Sequence, residues 1–149
     1  ALKPLMDKYK VDLVLQGHDH AYARGSIGTD NDAENVATPT ASKQVKSVFI
    51  TSVAGPKTYP IKPTRWDEYK KYGVKLERIA ENTPTYQVIS KTKDTLNYQS
   101  FTADGDIYDA FTLSKDQGGR KTLKVAKALP PERTFNNTGA YKSHHDLAE

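Results

Sequence analysis

The sequence predicts an α/β fold that is rich in β-structure, and three observations support this prediction. A short amphipathic stretch near the start of the chain is followed by an apolar run, VDLVLQG, at residues 11–17. A second apolar run, VKSVFITSV, spans residues 45–53. Between residues 85 and 114 come three strand-like segments, YQVIS, TLNYQSFT and IYDAFTLS. Apolar runs combined with alternating segments indicate a layered sheet with few helices.

The amphipathic stretch predicts a helix over residues 2–9. Four apolar residues recur there at helical spacing: Leu2, Leu5, Met6 and Tyr9. No Ser, Thr, Asp or Asn precedes Leu2 to cap the helix, so we expect the chain to begin inside a larger protein. Residues 11–17 are too few for a helix and are typical of a strand that is buried on both faces.

The middle of the chain predicts a loop, a strand and a helix. Residues 26–44 are polar and non-periodic, which indicates an exposed loop, and its acidic residues lack the spacing of an EF-hand. Residues 45–53 form the second predicted strand. Residues 65–81 are predicted to form a helix that Gly73 weakens.

The last three strand segments predict an antiparallel meander, joined by Lys93-Asp94 and by Asp104-Gly105. Period-two alternation places Ile107, Phe111 and Leu113 on one face, and Tyr108, Ala110 and Thr112 on the other. The acidic residues Asp104, Asp106 and Asp109 are predicted to be turn residues rather than metal ligands, because Asp-Gly is common in tight turns.

Two features close the chain. The lysine-rich segment KTLKVAKAL, at residues 121–129, predicts an edge strand. Residues 130–149 are expected to form a loosely ordered tail. Residues 1–129 then constitute one domain or part of one.

Composition excludes several classes of function. The chain has 149 residues, with 22 Lys plus Arg against 18 Asp plus Glu, a formal charge of +4. The basic residues are scattered, which argues against a nucleic-acid surface, and no segment is long and apolar enough to span a membrane. Because there is no cysteine, any metal must be held by His, Asp, Glu, Asn or Tyr.

The residues that suggest chemistry are His18 and His20, which flank Asp19 directly after the first predicted strand and follow Gly17. In an extended chain, residues i and i+2 point to the same side, so both imidazoles could face one metal or two adjacent metals, with Asp19 pointing away. A pair of hydrogen-bonded surface histidines is the alternative. Active sites gather at the ends of buried strands in α/β proteins, and this position favours metal ligands.

The same residues resemble a known family. The stretch VDLVLQGHDHAYAR resembles the last metal-binding block of calcineurin-like metallophosphoesterases, and GHDHAYAR resembles the Gly-His-x-His-x-Tyr-x-Arg form of purple acid phosphatases. The matching residues are Gly17, His18, His20, Tyr22 and Arg24. Ala23 stands where the plant and animal enzymes usually have Glu. VFITSVAGPKTY and TLNYQSFTADGDIYDAFTL resemble the next strand and the closing hairpin of bacterial purple-acid-phosphatase-like phosphohydrolases.

This resemblance implies the C-terminal half of a four-layer αββα sandwich, from an exported two-metal enzyme that hydrolyses phosphate esters. His18 would bind one metal ion and His20 the other, with ions of the Fe, Zn or Mn class. Gly17, Tyr22 and Arg24 would support the site. The other ligand blocks and the general acid would lie in the missing N-terminal half, so this chain alone is expected to be inactive. The remaining histidines, His144 and His145, are predicted to face solvent.

A different interpretation is a noncatalytic β-rich module for binding or structure, in which the His pair is incidental. The expected partners of the phosphoesterase are a phosphate ester and the missing half of the domain. Without that half, apolar strand faces would lack cover. We therefore expect self-association of the chain through residues 11–15 or 48–53.

Overall fold

The computed structural model describes residues 2–29, 42–61 and 69–134, and within them a single sheet dominates. The elements are α1 (Lys3–Lys8), β1 (Leu13–Gln16), β2 (Tyr22–Gly28), β3 (Lys43–Thr51), β4 (Lys75–Ala80), β5 (Thr85–Lys91), β6 (Thr95–Thr102), β7 (Ile107–Lys115) and β8 (Lys121–Val125). The strand order is β4-β2-β3-β8-β7-β6-β5, and β1 also pairs with β3. The predicted β-rich class is confirmed.

The helix and the first strand lie near their predicted positions. The pairing of β1 with β3 is the only parallel strand pairing in the described sheet, and Leu13 of β1 lies opposite Val48 of β3. Its burial is weaker than expected, since Leu13 and Val14 are half-buried and Leu15 is 55% exposed. In the described part of the chain, no strand pairs with the other edge of β1.

The helix predicted over residues 65–81 is wrong in its second half. Residues 75–80 form β4, which pairs antiparallel with β2. Gly73 has φ +71°, a conformation that ends the short helical turn at residues 69–71. Beyond this glycine, Ile79 and Ala80 are buried in the sheet. Residues 65–68 of the predicted helix lie outside the described residues.

The predicted meander is present as β5, β6 and β7, all antiparallel. The Asp104-Gly105 turn joins β6 to β7, with Gly105 at φ +91°. Glycine is favoured at this positive φ because a residue with a Cβ would be strained there.

A β-bulge in β7 breaks the predicted alternation. Phe101 of β6 pairs with Ile107, but its neighbour Ser100 pairs with Asp109, so Tyr108 is the extra residue. Tyr108 and Asp109 are both fully buried, whereas Ile107 is 42% exposed. The predictions that Ile107 lies on the same face as Phe111 and that Asp109 belongs to the turn are therefore wrong.

The lysine-rich strand β8 was predicted to be an edge strand. This prediction is wrong, because β8 lies between β3 and β7. Its Lys121 is buried, and the ammonium donates to the carbonyl oxygens of Lys10, Val11 and Lys46 at 2.7–3.0 Å. It also pairs with Asp12 at 2.8 Å. These partners compensate the burial of the charge, which is why a lysine is tolerated inside the sheet.

The described structure extends into both the predicted loop and the predicted tail. β2 continues to Gly28 and β3 begins at Lys43, while residues 30–41 lie outside the described residues. Residues 130–134 pack along the outer edge of β4, where the Glu81 amide donates to the Arg133 carbonyl at 2.8 Å. Residues 135–149, with both tail histidines, also lie outside the described part.

The hydrophobic core is shared among strands from both halves of the described sequence. It contains Tyr22, Val45, Val48, Ile50, Ala80, Tyr98, Tyr108, Phe111, Leu113 and Leu123. No helix in the described residues has the length and apolarity needed to cross a membrane.

Candidate metal site

The chain bends at residues 18–20, directly after β1. His18 adopts φ +78°, the left-handed region that is costly for any residue with a Cβ. Gly17, which precedes the bend, has no positive φ, and an added Cβ there would meet no atom within 4 Å. Backbone strain of about 1–3 kcal/mol is thus placed on His18, and such strain clusters at functional sites.

A cavity of about 510 Å³ opens at this bend, and we call it the His cavity. One part of its wall consists of His18, Asp19 and His20. The rest includes Ala21, Ala23, Thr51, Lys57, Tyr59, Pro60, Ile61, Tyr69, Leu76 and Ile79. The backbone is not extended here, so Asp19 need not point away from the two histidines as predicted. All three residues line the same cavity.

His20 is held by the segment that follows β3. Its Nδ1 lies 2.5 Å from the carbonyl oxygen of Lys57. A carbonyl oxygen only accepts, so Nδ1 carries the proton and donates, which leaves Nε2 for another partner. The Tyr59 amide donates to the His20 carbonyl at 2.8 Å, and the two rings lie 5.0 Å apart. Metal-ligating histidines are commonly oriented by such a bond from their other nitrogen.

The described residues place two imidazoles on the His cavity but do not provide a full set of metal ligands. His18 is exposed and His20 is half-buried. Among the described residues, no three His, Cys, Asp or Glu side chains are grouped so that they could hold a metal ion. The donor set fits part of a metal site, because stable zinc sites generally use three or four protein ligands.

Tyr22 and Arg24 lie on the opposite face of β2 from Ala23, and neither lines the His cavity. The Tyr22 hydroxyl donates to Asp109 at 2.7 Å, and Arg24 Nε donates to the same carboxylate oxygen at 2.7 Å. Arg24 Nη1 donates to Glu77 at 2.8 Å. Arg24 is only 3% exposed, so its guanidinium is committed to the interior and does not reach the cavity.

These contacts belong to a buried polar network centred on Asp109, which is 0% exposed. The Tyr98 hydroxyl lies 3.2 Å from that of Tyr22. Burial raises the pKa of Tyr22 well above its usual value, and the Asp109 charge raises it further. Burial likewise raises the pKa of Tyr98. Both phenols therefore stay protonated, and Tyr22 remains a donor to Asp109.

The buried role of Asp109 was not predicted from the sequence, where this residue was grouped with Asp104 and Asp106 in a turn. A usable signal was its position inside the apolar segment IYDAF, because a carboxylate within a buried strand needs a charged or donating partner. Arg24, in the conspicuous GHDHAYAR stretch, is that partner.

Comparisons of the chain with protein-family models, with curated proteins and with solved structures give no match. The family thus stays a prediction from GHDHAYAR and its neighbouring segments.

Proposed function

We propose that this chain supplies the final Gly-His-x-His ligands, His18 and His20, of a two-metal phosphoesterase that hydrolyses phosphate esters. The strongest support is the hydrogen bond from His20 Nδ1 to the Lys57 carbonyl. His18 lines the same cavity as His20. The hydrogen bond leaves Nε2 of His20 available as a ligand in a fixed ring orientation.

When bound, two divalent ions of the Fe, Zn or Mn class would orient the phosphate, lower the pKa of a water and neutralise developing charge. The chain's own contribution is positional. Lys57 and Tyr59 hold the His20 ring and backbone. Tyr22 and Arg24 fasten the following strand to Asp109 from the opposite face. The general acid and the remaining ligands are proposed to come from an N-terminal half of the same domain.

The larger architecture in this proposal is the four-layer αββα sandwich, of which the described sheet would be the C-terminal part. β1 is the place where the other half would join. One edge of this strand has no partner among the described residues, and Leu15 is exposed. Parallel strands of α/β proteins are normally paired and covered on both faces.

Zinc titration of the 149-residue chain tests the ligand assignment. We expect weak, saturable binding with a dissociation constant above about 1 μM, because two imidazoles make an incomplete site. His18→Ala and His20→Ala should each abolish this binding in a calorimeter. His144→Ala is the matched control, since it also removes one histidine, and it should leave binding unchanged.

Three results would contradict parts of this proposal. Submicromolar zinc affinity would mean that further ligands of this chain complete the site. Zinc binding that disappears only in His144→Ala would place the ligands in the tail. If no zinc binds at all, the noncatalytic module with an incidental His pair becomes the better interpretation.

Self-association of the isolated chain is proposed at β1 rather than at residues 48–53. Val48 and Ile50 are already buried in the chain's own core, which removes that segment as a contact surface. Light scattering at low micromolar concentration should show a dimer or larger species, and Leu15→Lys should shift it toward monomer. Val88→Lys, an equally exposed position on β5, is the control; dissociation by this variant alone would place the contact at β5.

A further inference from the structure

We propose that the apolar part of the His cavity binds an aryl or similarly bulky apolar group of the phosphate ester. The assignment of the phosphate end rests on the proposed function. Binding of the apolar group depends only on the walls of the cavity, so the two can be tested separately.

The size of the His cavity supports this proposal. Its volume of about 510 Å³ lies within the range of about 300–1,000 Å³ that is typical of small-molecule sites. A phosphate group placed beside His18 and His20 would occupy only a small part of that volume. The remaining space has room for the organic group that the phosphate esterifies.

The chemistry of the cavity walls also supports an apolar ligand group. On the sheet, Ala23 of β2 lies opposite Ile79 of β4, and Leu76 lies opposite the neighbouring Gly25. Aliphatic carbon therefore lines this side of the cavity. Apolar walls with a few polar groups at one end favour an amphipathic ligand whose charged end lies against the polar groups.

The segment after β3 provides another part of the wall. It contributes Tyr59, Pro60 and Ile61, and Tyr69 adds a second aromatic side chain. The Tyr59 amide bond to His20 fixes this wall relative to the polar end of the cavity. Aromatic rings give aryl ligands favourable stacked or edge-to-face contacts, so a flat aromatic group is a suitable occupant.

Ala23 determines how much of the cavity is open on the sheet side. Its side chain is a single methyl on the cavity wall, between strands β3 and β4. A larger residue here would project into the same space as the ligand. Ala23 is therefore the residue that we assign as the determinant of leaving-group size.

Ligand-observed NMR on the 149-residue chain tests this with 1-naphthol, which has the aryl group but no phosphate. We expect 1-naphthol to bind without metal, with a dissociation constant of about 0.1–1 mM. Ala23→Leu should weaken binding about fivefold or more by filling the cavity. Ala110→Leu makes the same change on β7, away from the cavity, and should leave binding unchanged.

Circular dichroism melts identify any variant that fails to fold. If Ala23→Leu does not fold, Ile61→Ala takes its place. This variant removes apolar contact from the cavity wall and should also weaken binding. Failure of 1-naphthol to bind, or equal weakening in Ala110→Leu, would overturn the proposal. If 1-naphthol binds at the cavity but zinc does not bind to the chain, the apolar site stands and the metal assignment fails. Tighter binding of 1-naphthyl phosphate than of 1-naphthol in the presence of zinc would support both.

Discussion

Asp109→Asn is expected to lower the free energy of unfolding of this chain by about 3–5 kcal/mol. The carboxylate is fully buried and accepts bonds from Tyr22 and from Arg24. The substitution leaves the Arg24 guanidinium buried with Glu77 as its remaining anionic partner. Loss of one partner of a buried ion pair is costly because the other charge has already lost its hydration.

Urea unfolding followed by circular dichroism measures this effect. Asp106→Asn is the matched control, because this aspartate is exposed in the adjoining turn and should change stability by less than about 0.5 kcal/mol. Similar losses in the two variants would show that the Asp109 network does not stabilise the fold. The double variant Arg24→Met with Asp109→Leu should recover part of the loss, since it removes both charges together.

The network also explains the alternation within GHDHAYAR. Tyr22 and Arg24 face the interior on β2, while Ala23 between them faces the His cavity. The motif thus serves two surfaces of one strand. Its aromatic and basic residues anchor the strand to β7, and its small residue leaves space next to the histidines.

Apolar periodicity correctly predicted β3 and the three strands of the meander, where the local sequence decides the structure. β3 and the three strands of the meander follow from alternating apolar residues and from the Asp-Gly turn. β4 could not be predicted in this way. The segment KLERIA is compatible with a helix, and its pairing with β2, distant in sequence, decides in favour of a strand.

Two further departures have the same long-range origin. Lys121 appeared typical of an edge strand, but three backbone carbonyls and Asp12 make its burial acceptable. The bulge at Tyr108 moves Ile107 off the buried face that Asp109 shares with Phe111, and no local pattern predicts that extra residue. For the candidate site, the sequence identified His18 and His20, but not the Lys57 carbonyl that orients His20, because a backbone contact leaves no trace in residue type.

The second large effect is expected in catalysis. The 149-residue chain should hydrolyse p-nitrophenyl phosphate no faster than buffer, because the described residues supply only two imidazoles. The protein that carries the complete proposed domain should be active with divalent metal. In that protein, His18→Ala or His20→Ala should cost about 3 kcal/mol or more of transition-state stabilisation, which is about a hundredfold or more in kcat/KM.

The control for this experiment is again His144→Ala, which should keep kcat/KM within about twofold of the parent protein, as expected for a histidine that the sequence predicts to face solvent. Melting temperatures of the variants separate loss of a ligand from loss of the fold. His20 donates a hydrogen bond to the Lys57 carbonyl, so His20→Ala should also lower stability slightly. His18 is exposed and carries backbone strain, so His18→Ala should not lower stability. A folded His18→Ala variant with full activity would contradict the two-metal assignment. Strong activity of the unaltered 149-residue chain would equally contradict it, because the catalytic groups would then lie within this sequence.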